Sequence, residues 1–311
     1  MDSIIARIDD DDKYGTNDVY KAVICPHDDY AYAGGLYSKT LNGIKAKTIV
    51  LVGVAHKARN FDLTDKLVFG SFDYWKGVYG NIKVSAFRNE LVKKLAEDIY
   101  VVHDSMMIIE HSLEAITPFL QVKNKDIEII PLLVPYMKND DMITMSLALA
   151  KALQEVMQKH NLQYGKDLAI VISNDAVHYG NVDWGGKDMA PFGVDSTGNE
   201  KARKMDLEII KNCLEGEVLT SKVKQFTDYT VQQDDYKEYK WVWCGRYSVP
   251  FGLLLANNLN ELIEQQPLTG TVVDYRTSLN NKHLKVNDLG MGTTAPANNA
   301  HWVGYVGVVY K

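Results

Sequence analysis

Three histidines and one cysteine stand where short apolar runs end, and together they offer the ligands of a metal ion. Val23-Ile24-Cys25-Pro26 leads into His27, and Thr48 to Ala55 leads into His56. Asp167 to Ser173 leads through Asn174-Asp175-Ala176-Val177 into His178, and Trp241-Val242-Trp243 leads into Cys244, followed by Gly245 and Arg246. Imidazole and thiolate suit iron, copper or zinc. Ligands scattered over several strand ends fit a catalytic centre with an open position better than a compact structural zinc site. The plainer reading of any one of these histidines is a hydrogen-bonded structural residue. His111, at a helix start within Glu110-His111-Ser112-Leu113-Glu114, is a further imidazole for the same chemistry.

Around such an ion the neighbouring residue types take roles. His178 suits a general acid and base, because an unperturbed imidazole titrates near ~6.5. Asp175, three residues earlier, either orients His178 or lies on the other side of the turn. His111 is a second proton donor, a support for a ligand, or a structural cap. Arg246 either grips an anionic substrate group in a bidentate contact or pairs with a sheet-edge carboxylate. Asp28 and Asp29 are expected to accept from the His27 ring and fix its tautomer. Cys25 and Cys213 read as small core residues. Gly34 and Gly35 belong to no phosphate-binding pattern.

These groups need a scaffold that gathers distant strand ends. The runs at Asp18–Cys25, Lys47–Val54, Glu128–Pro135 and Asp167–Ser173 are short and rich in β-branched residues, as buried strands are. Helices are expected at 36–44, 86–99, 140–160, 200–214, 216–228 and 250–265, with Asp140 or Asp141 capping the third. Strands at 271–276 and 302–310 close the sheet. The aromatic, glycine-rich stretch 66–84 reads as a β excursion covering the site, and 280–300 as a loop. In open α/β sheets, ligands bind beyond the carboxyl ends of the strands, where His27 and His56 fall. Residues 18–311 therefore read as one α/β domain with a mostly parallel central sheet flanked by helices. Residues 1–17 are polar and acidic and are expected outside the core. Their Asp9-Asp10-Asp11-Asp12-Lys13 spells an enterokinase site, so a vector remnant is one reading of them.

Composition narrows the function classes. The chain has 311 residues, 46% hydrophobic and 24% charged, with net charge −6. That balance gives no electrostatic case for nucleic acid as a partner. No apolar run reaches the ~18–20 residues of a membrane span. Three cysteines and no signal-peptide pattern fit the cytoplasm.

Six segments resemble, in order, the Memo family, also called AmmeMemoRadiSam system protein B. Pro26-His27-Asp28-Asp29-Tyr30-Ala31-Tyr32-Ala33-Gly34 is similar to its Pro-His-x-Gly-Tyr-x-Tyr-Ser-Gly signature. Val52-Gly53-Val54-Ala55-His56 is similar to its Gly-Pro-x-His turn. Glu110 to Glu114 with Pro118-Phe119-Leu120, Asn174 to Gly180, Cys244-Gly245-Arg246 and Asp274 to Ser278 resemble further elements. The resemblance spans residues 22–309.

The resemblance implies a class III extradiol dioxygenase-like fold, with one transition-metal ion, iron or copper first and zinc next, on His27, His56 and Cys244. It places Asp175 and His178 in the same pocket; Tyr30 and, if its bidentate reading holds, Arg246 are the candidate substrate contacts beside them. Extradiol enzymes use two histidines and a carboxylate, so the thiolate departs from their pattern. Asp28, Asp29, Ala55 and Lys57 depart from the Memo pattern and bear on substrate more than metal. The implied function is a metal-dependent redox, dioxygenase-like enzyme on a small molecule at the sheet edge. The rivals are a non-enzymatic peptide-binding protein on the same scaffold and, more weakly, a metal-dependent hydrolase. Family context implies radical SAM and AMMECR-type partner proteins.

Overall fold

Val50, Val52, Ile170 and Ile172 enter one apolar cluster, while Ile49, Leu51, Ala169 and Val171 from the same strands enter another. Side chains alternate along a strand, so apolar residues at every position demand cover on both faces. The computed structural model, which describes residues 1–13 and 16–311, supplies that cover with helices. Its strands are β1 (Ala22–Cys25), β2 (Thr48–Val54), β3 (Leu67–Phe69), β4 (Tyr74–Trp75), β5 (Ile82–Val84), β6 (Tyr100–Val102), β7 (Glu128–Val134), β8 (Leu168–Ser173), β9 (His178–Gly180), β10 (Gly216–Glu217), β11 (Thr269–Thr277) and β12 (His301–Tyr310). Its α-helices are α1 (Asp2–Arg7), α2 (Asp10–Lys13), α3 (Tyr30–Leu41), α4 (Phe87–Val92), α5 (Asp104–Ile109), α6 (Thr117–Lys123), α7 (Asn139–His160), α8 (Ser196–Ile209), α9 (Thr220–Thr230) and α10 (Ser248–Glu264).

The sheet runs β10-β11-β12-β1-β8-β2-β7-β3-β6. β1, β8, β2 and β7 are parallel neighbours. β12 joins β1 antiparallel, and β3 joins β7 antiparallel. The expected mostly parallel sheet is thus parallel at its centre and mixed at its margins. β8 lies between β1 and β2, so the first strand–helix–strand unit skips a strand.

Helices α7 and α10 pack on each other and cover one face; α3 and α6 cover the other. Leu153 of α7 is fully buried. Truncating it to alanine should cost about 2–5 kcal/mol. Helix α7 starts at Asn139 with Lys138 as its N-cap, so Asp140 and Asp141 sit in the first turn instead. There they complement the positive end of the helix dipole.

Three segments differ from expectation. The stretch read as lying outside the core places Ile4 and Ile8 in it and inserts Asp12 against Arg276, with Oδ1 2.6 Å from Nη2. Its two isoleucines, not its acidic run, decide its position. The expected helix over 86–99 ends at Val92, though Leu95 beyond it is buried. The β4–β5 excursion does not cover the site; Phe72, Tyr74 and Trp75 line a separate cavity of about 390 Å³. No helix among the described residues is long and apolar enough to cross a membrane.

Candidate metal centre

Strands β1, β8 and β2 end side by side, and each passes its next residues into one corner. The Asn174 amide donates to the Cys25 carbonyl at 2.9 Å, tying two of these ends together. The His27 amide donates to Asp175 Oδ1 at 3.0 Å. The His27 ring Nδ1 lies 2.8 Å from Ser173 Oγ, and that hydroxyl donates to the Ser112 carbonyl at 2.7 Å. A hydroxyl has a single proton, so Nδ1 must be the donor to Ser173. The lone pair of the neutral ring is then on Nε2.

His56 is fixed by a different device with the same result. Its Nδ1 lies 2.8 Å from Glu110 Oε1, and its amide donates to Oε2 at 2.7 Å. The amides of His111 and Ser112 also donate to Oε1, at 3.0 and 2.9 Å. Burial pushes the Glu110 carboxyl up, but His56 and these donors outweigh it and hold its pKa below the usual value. A carboxylate only accepts, so His56 Nδ1 carries the proton and Nε2 the lone pair.

Donor atoms of His27, His56 and Cys244 all lie within 4.8 Å of one another. His56 Nε2 is 3.5 Å from Cys244 Sγ. A tetrahedral ion with bonds of about 2.05 Å to nitrogen and 2.3 Å to sulfur would hold those atoms about 3.5 Å apart. The residues therefore fit the ion that the sequence implied.

Asp175, His178 and Cys244 form a second group of the same kind, sharing the thiol. The Cys244 Sγ to His178 Nε2 distance is 2.8 Å, a hydrogen bond and too short for two ligands of one ion. Burial pushes the Cys244 thiol well up. Burial, then His56, His301 and His111, pulls His178 down to about 3. Both groups are neutral in this state, and the thiol donates to the imidazole. Asp175 turns to His27 rather than orienting His178, with Oδ2 3.1 Å from His27 Nε2. Burial, then Asp28, pushes the Asp175 carboxyl well up, while burial pulls His27 well down. The Asp175 carboxyl is then the proton donor in that contact.

The remaining expected site residues divide. His111 stacks on His56 with ring centroids 4.6 Å apart, its side chain largely exposed. Tyr30 lines the cavity, but its hydroxyl donates to the Ala115 carbonyl at 2.7 Å. Asp28 and Asp29 do not touch the His27 ring. Asp28 Oδ2 accepts from Tyr305 at 2.6 Å and Asp29 Oδ2 from the Thr294 amide at 2.6 Å. They face away because β1 ends at Cys25 and α3 begins at Tyr30, so the chain turns between them. Burial pushes Asp28 up to about 6. Arg246 does not line the cavity; its guanidinium sits 3.3 Å over the Tyr239 ring and donates to the Lys237 carbonyl at 3.1 Å.

Two glycines permit this assembly. Gly180 has φ +141, and a Cβ there would collide with the Ala300 carbonyl of the strand paired to it. Gly245 donates to Asn174 Oδ1 at 3.1 Å, and a Cβ would collide with that side chain.

Sequence reasoning missed the supporting groups. Glu110 was visible in its motif without a partner. Ser173 ends a strand and gave no signal. Asp206 on α8 is fully buried and accepts from Trp241 and Trp243 indoles at 2.9 and 2.7 Å, from the Tyr275 hydroxyl at 2.8 Å and from the Val177 amide at 3.2 Å. It thereby ties the residues beside Cys244 and His178 to one carboxylate. Trp241 and Trp243 are therefore core, not lining. A cavity of about 810 Å³ opens beside His27, His56 and Cys244, and its wall includes Trp184, Met291 and His301.

Comparison with known proteins adds the family. Residues 3–293 match the family model described as Memo-like protein. A MEMO1 family protein of Pyrococcus furiosus is 28% identical over 163 residues, 51% of this chain and 53% of that protein. Another, of Methanococcoides burtonii, is 28% identical over 166 residues, 53% and 56% of the two chains. The chain thus spans about half the length of the curated relatives it matches. The crystal structure of an uncharacterized Escherichia coli K12 protein superimposes with TM-score 0.46 and 13% identity, over 91% of this chain and 98% of that one; the likeness is too loose to carry an argument. The chain belongs to the Memo-like protein family.

Proposed function

We propose that this protein holds one transition-metal ion on His27, His56 and Cys244 and performs a redox, dioxygenase-like reaction on a small molecule in the adjoining cavity. The supporting observation is that Ser173 and Glu110 take the Nδ1 protons of both histidines, which leaves Nε2 as the ligand atom of each, and that donor atoms of His27, His56 and Cys244 lie within 4.8 Å of one another; the Asp175 hydrogen bond to His27 Nε2 would give way to the ion. Two imidazoles and a thiolate are softer than two imidazoles and a carboxylate, which shifts preference toward copper(I), zinc or a retuned iron, zinc being redox-inert. Such an ion supplies Lewis acidity and one-electron chemistry.

The protein's own residues do the rest. Cys244 must lose its proton to become a thiolate ligand. His178 Nε2, 2.8 Å away, accepts the thiol's hydrogen bond and, with its pKa held at about 3, would pass that proton on toward solvent rather than keep it. Glu110 holds the His56 ring at its angle, and Ser173 does the same for His27. Radical SAM and AMMECR-type partners belong to this proposal through family context alone. The test is oxygen uptake by protein reconstituted anaerobically with iron(II) or copper(I), supplied with a panel of hydroxylated aromatic compounds, beside Cys244→Ser. Uptake that needs both the metal and Cys244 is the expected result. No uptake with either metal would overturn the redox reading and turn attention to peptide binding in the cavity.

A further inference from the structure

Among the described residues, His301 and Trp184 are the polar side chains on the cavity wall that hold buried nitrogens without a partner. His301 is only 3% exposed. Its Nδ1 lies 2.8 Å from the Val182 carbonyl, which can only accept, so Nδ1 carries the proton. The neutral ring then presents Nε2 as an acceptor, and nothing donates to it. Trp184 stacks on the same ring, centroids 3.8 Å apart and planes 20° apart, and its Nε1–H has no acceptor. Trp184 also meets the His178 ring edge-on at 5.2 Å, so the pair lies beside the group that contacts Cys244. A buried donor and a buried acceptor left open side by side are each costly, and native structures rarely keep both without a use.

We infer that His301 and Trp184 form a subsite for a hydroxyl group on a neutral ligand. A hydroxyl answers both atoms at once: its proton goes to His301 Nε2 and its oxygen accepts from Trp184 Nε1–H. A carboxylate would leave Nε2 facing another acceptor, and an ammonium would leave the indole N–H unanswered. The ligand reaches the pair by a tilt of Trp184, whose segment has positive φ at Asp183, Gly185 and Gly186 (61°, 63° and 81°). The placement of His301 depends on the close β9–β12 pairing, in which His301 lies opposite Gly180. This subsite rests on reading the cavity as a substrate pocket and adds the substrate's functional group to it.

The test is a titration of the full, metal-free chain with benzyl alcohol and with toluene, followed by ligand-observed NMR. A site built to pair a hydroxyl should prefer benzyl alcohol by about tenfold in Kd, the net worth of such hydrogen bonds. His301→Phe keeps the stack and removes the acceptor; Trp184→Phe keeps the aromatic wall and removes the donor. Each should cut the preference to about threefold, and the double variant should abolish it. Equal binding of the two probes by the parent, binding of neither, or a preference surviving in the double variant would overturn the proposal. Because no metal is present, failure here leaves the metal ligands untouched, and failure of metal binding leaves this preference untouched.

Discussion

The cavity has two unlike walls. On the sheet side, both ring nitrogens of His27 and of His56 have partners, supplied by Ser173, Asp175, Glu110 and Cys244. On the loop side, His301 and Trp184 each leave one nitrogen open. The first wall is held by the ends of buried parallel strands, where backbone register fixes side-chain position. The second is carried by loops and by the first residue of β12, where that strand pairs with the short β9. A saturated wall resists rearrangement and suits metal ligation, where misplacement by a fraction of an ångström weakens binding. An unsaturated wall is completed by what it binds.

The largest effect should come from Glu110, on the saturated side. Glu110→Ala leaves the His56 ring proton and the amides of His56, His111 and Ser112 unanswered. Stability should fall by about 3–5 kcal/mol, read as a lower urea midpoint. Glu110→Gln keeps the shape but not the charge, and should weaken metal binding about 10–100-fold in a competition titration. If Glu110→Gln binds metal as the parent does, the saturated wall is not what prepares the site.

Asp206 tests the frame behind both walls. Burial pushes its carboxyl up to about 6, against the donors from Trp241, Trp243 and Tyr275. An unfolded aspartate releases its proton near 3.9, so the folded state binds more protons between about pH 4 and 6. Stability from this group therefore falls as pH rises through that window, by up to about 3 kcal/mol. Urea unfolding of the parent against Asp206→Asn should show a steeper fall in the parent than in the variant, where Asp28 and Asp175 keep part of the slope. Equal slopes would mean the carboxylate stays ionised throughout.

Arg246 separates neighbours in sequence that differ in place. Arg246→Lys gives up the stack on Tyr239 and should cost about 1–2 kcal/mol of stability with metal stoichiometry unchanged. Loss of metal in this variant would return Arg246 to the site. The smallest effect belongs to Arg7, which pairs with Asp288 at 2.7 Å and donates to the Lys285 carbonyl. Arg7→Ala should leave the unfolding midpoint unchanged but speed amide exchange over residues 285–291. Unchanged exchange would show that the N-terminal segment does not secure that part of the wall.

What the sequence revealed follows the same division. β2, β7, β8, α7 and α10 were legible because apolar periodicity and length announce buried strands and long helices. His27 and His56 stood out because they follow strand ends, while Cys244 stood out through its Cys-Gly-Arg motif, since the expected strand before it is only an isolated bridge between Trp243 and Val177. Glu110 as the partner of His56 was not, since the two lie 54 residues apart and meet only once β2 is in place. Asp28 and Asp29 misled because adjacency to His27 says nothing of where a turn points them. Arg246 misled because its partner tyrosines surround it only in the fold. Ile4 and Ile8 were hidden by the acidic run beside them. His301 is one histidine in an apolar strand, and its open nitrogen exists only against Trp184, 117 residues away in sequence.

The most direct test of the account is metal stoichiometry. Protein reconstituted anaerobically with iron(II), copper(I) or zinc(II) would be desalted and measured by mass spectrometry, beside Cys244→Ser and His56→Ala. The account predicts near one ion per parent chain and a loss in both variants that keep the parent's circular dichroism. An empty parent, or variants that hold metal as the parent does, would contradict it.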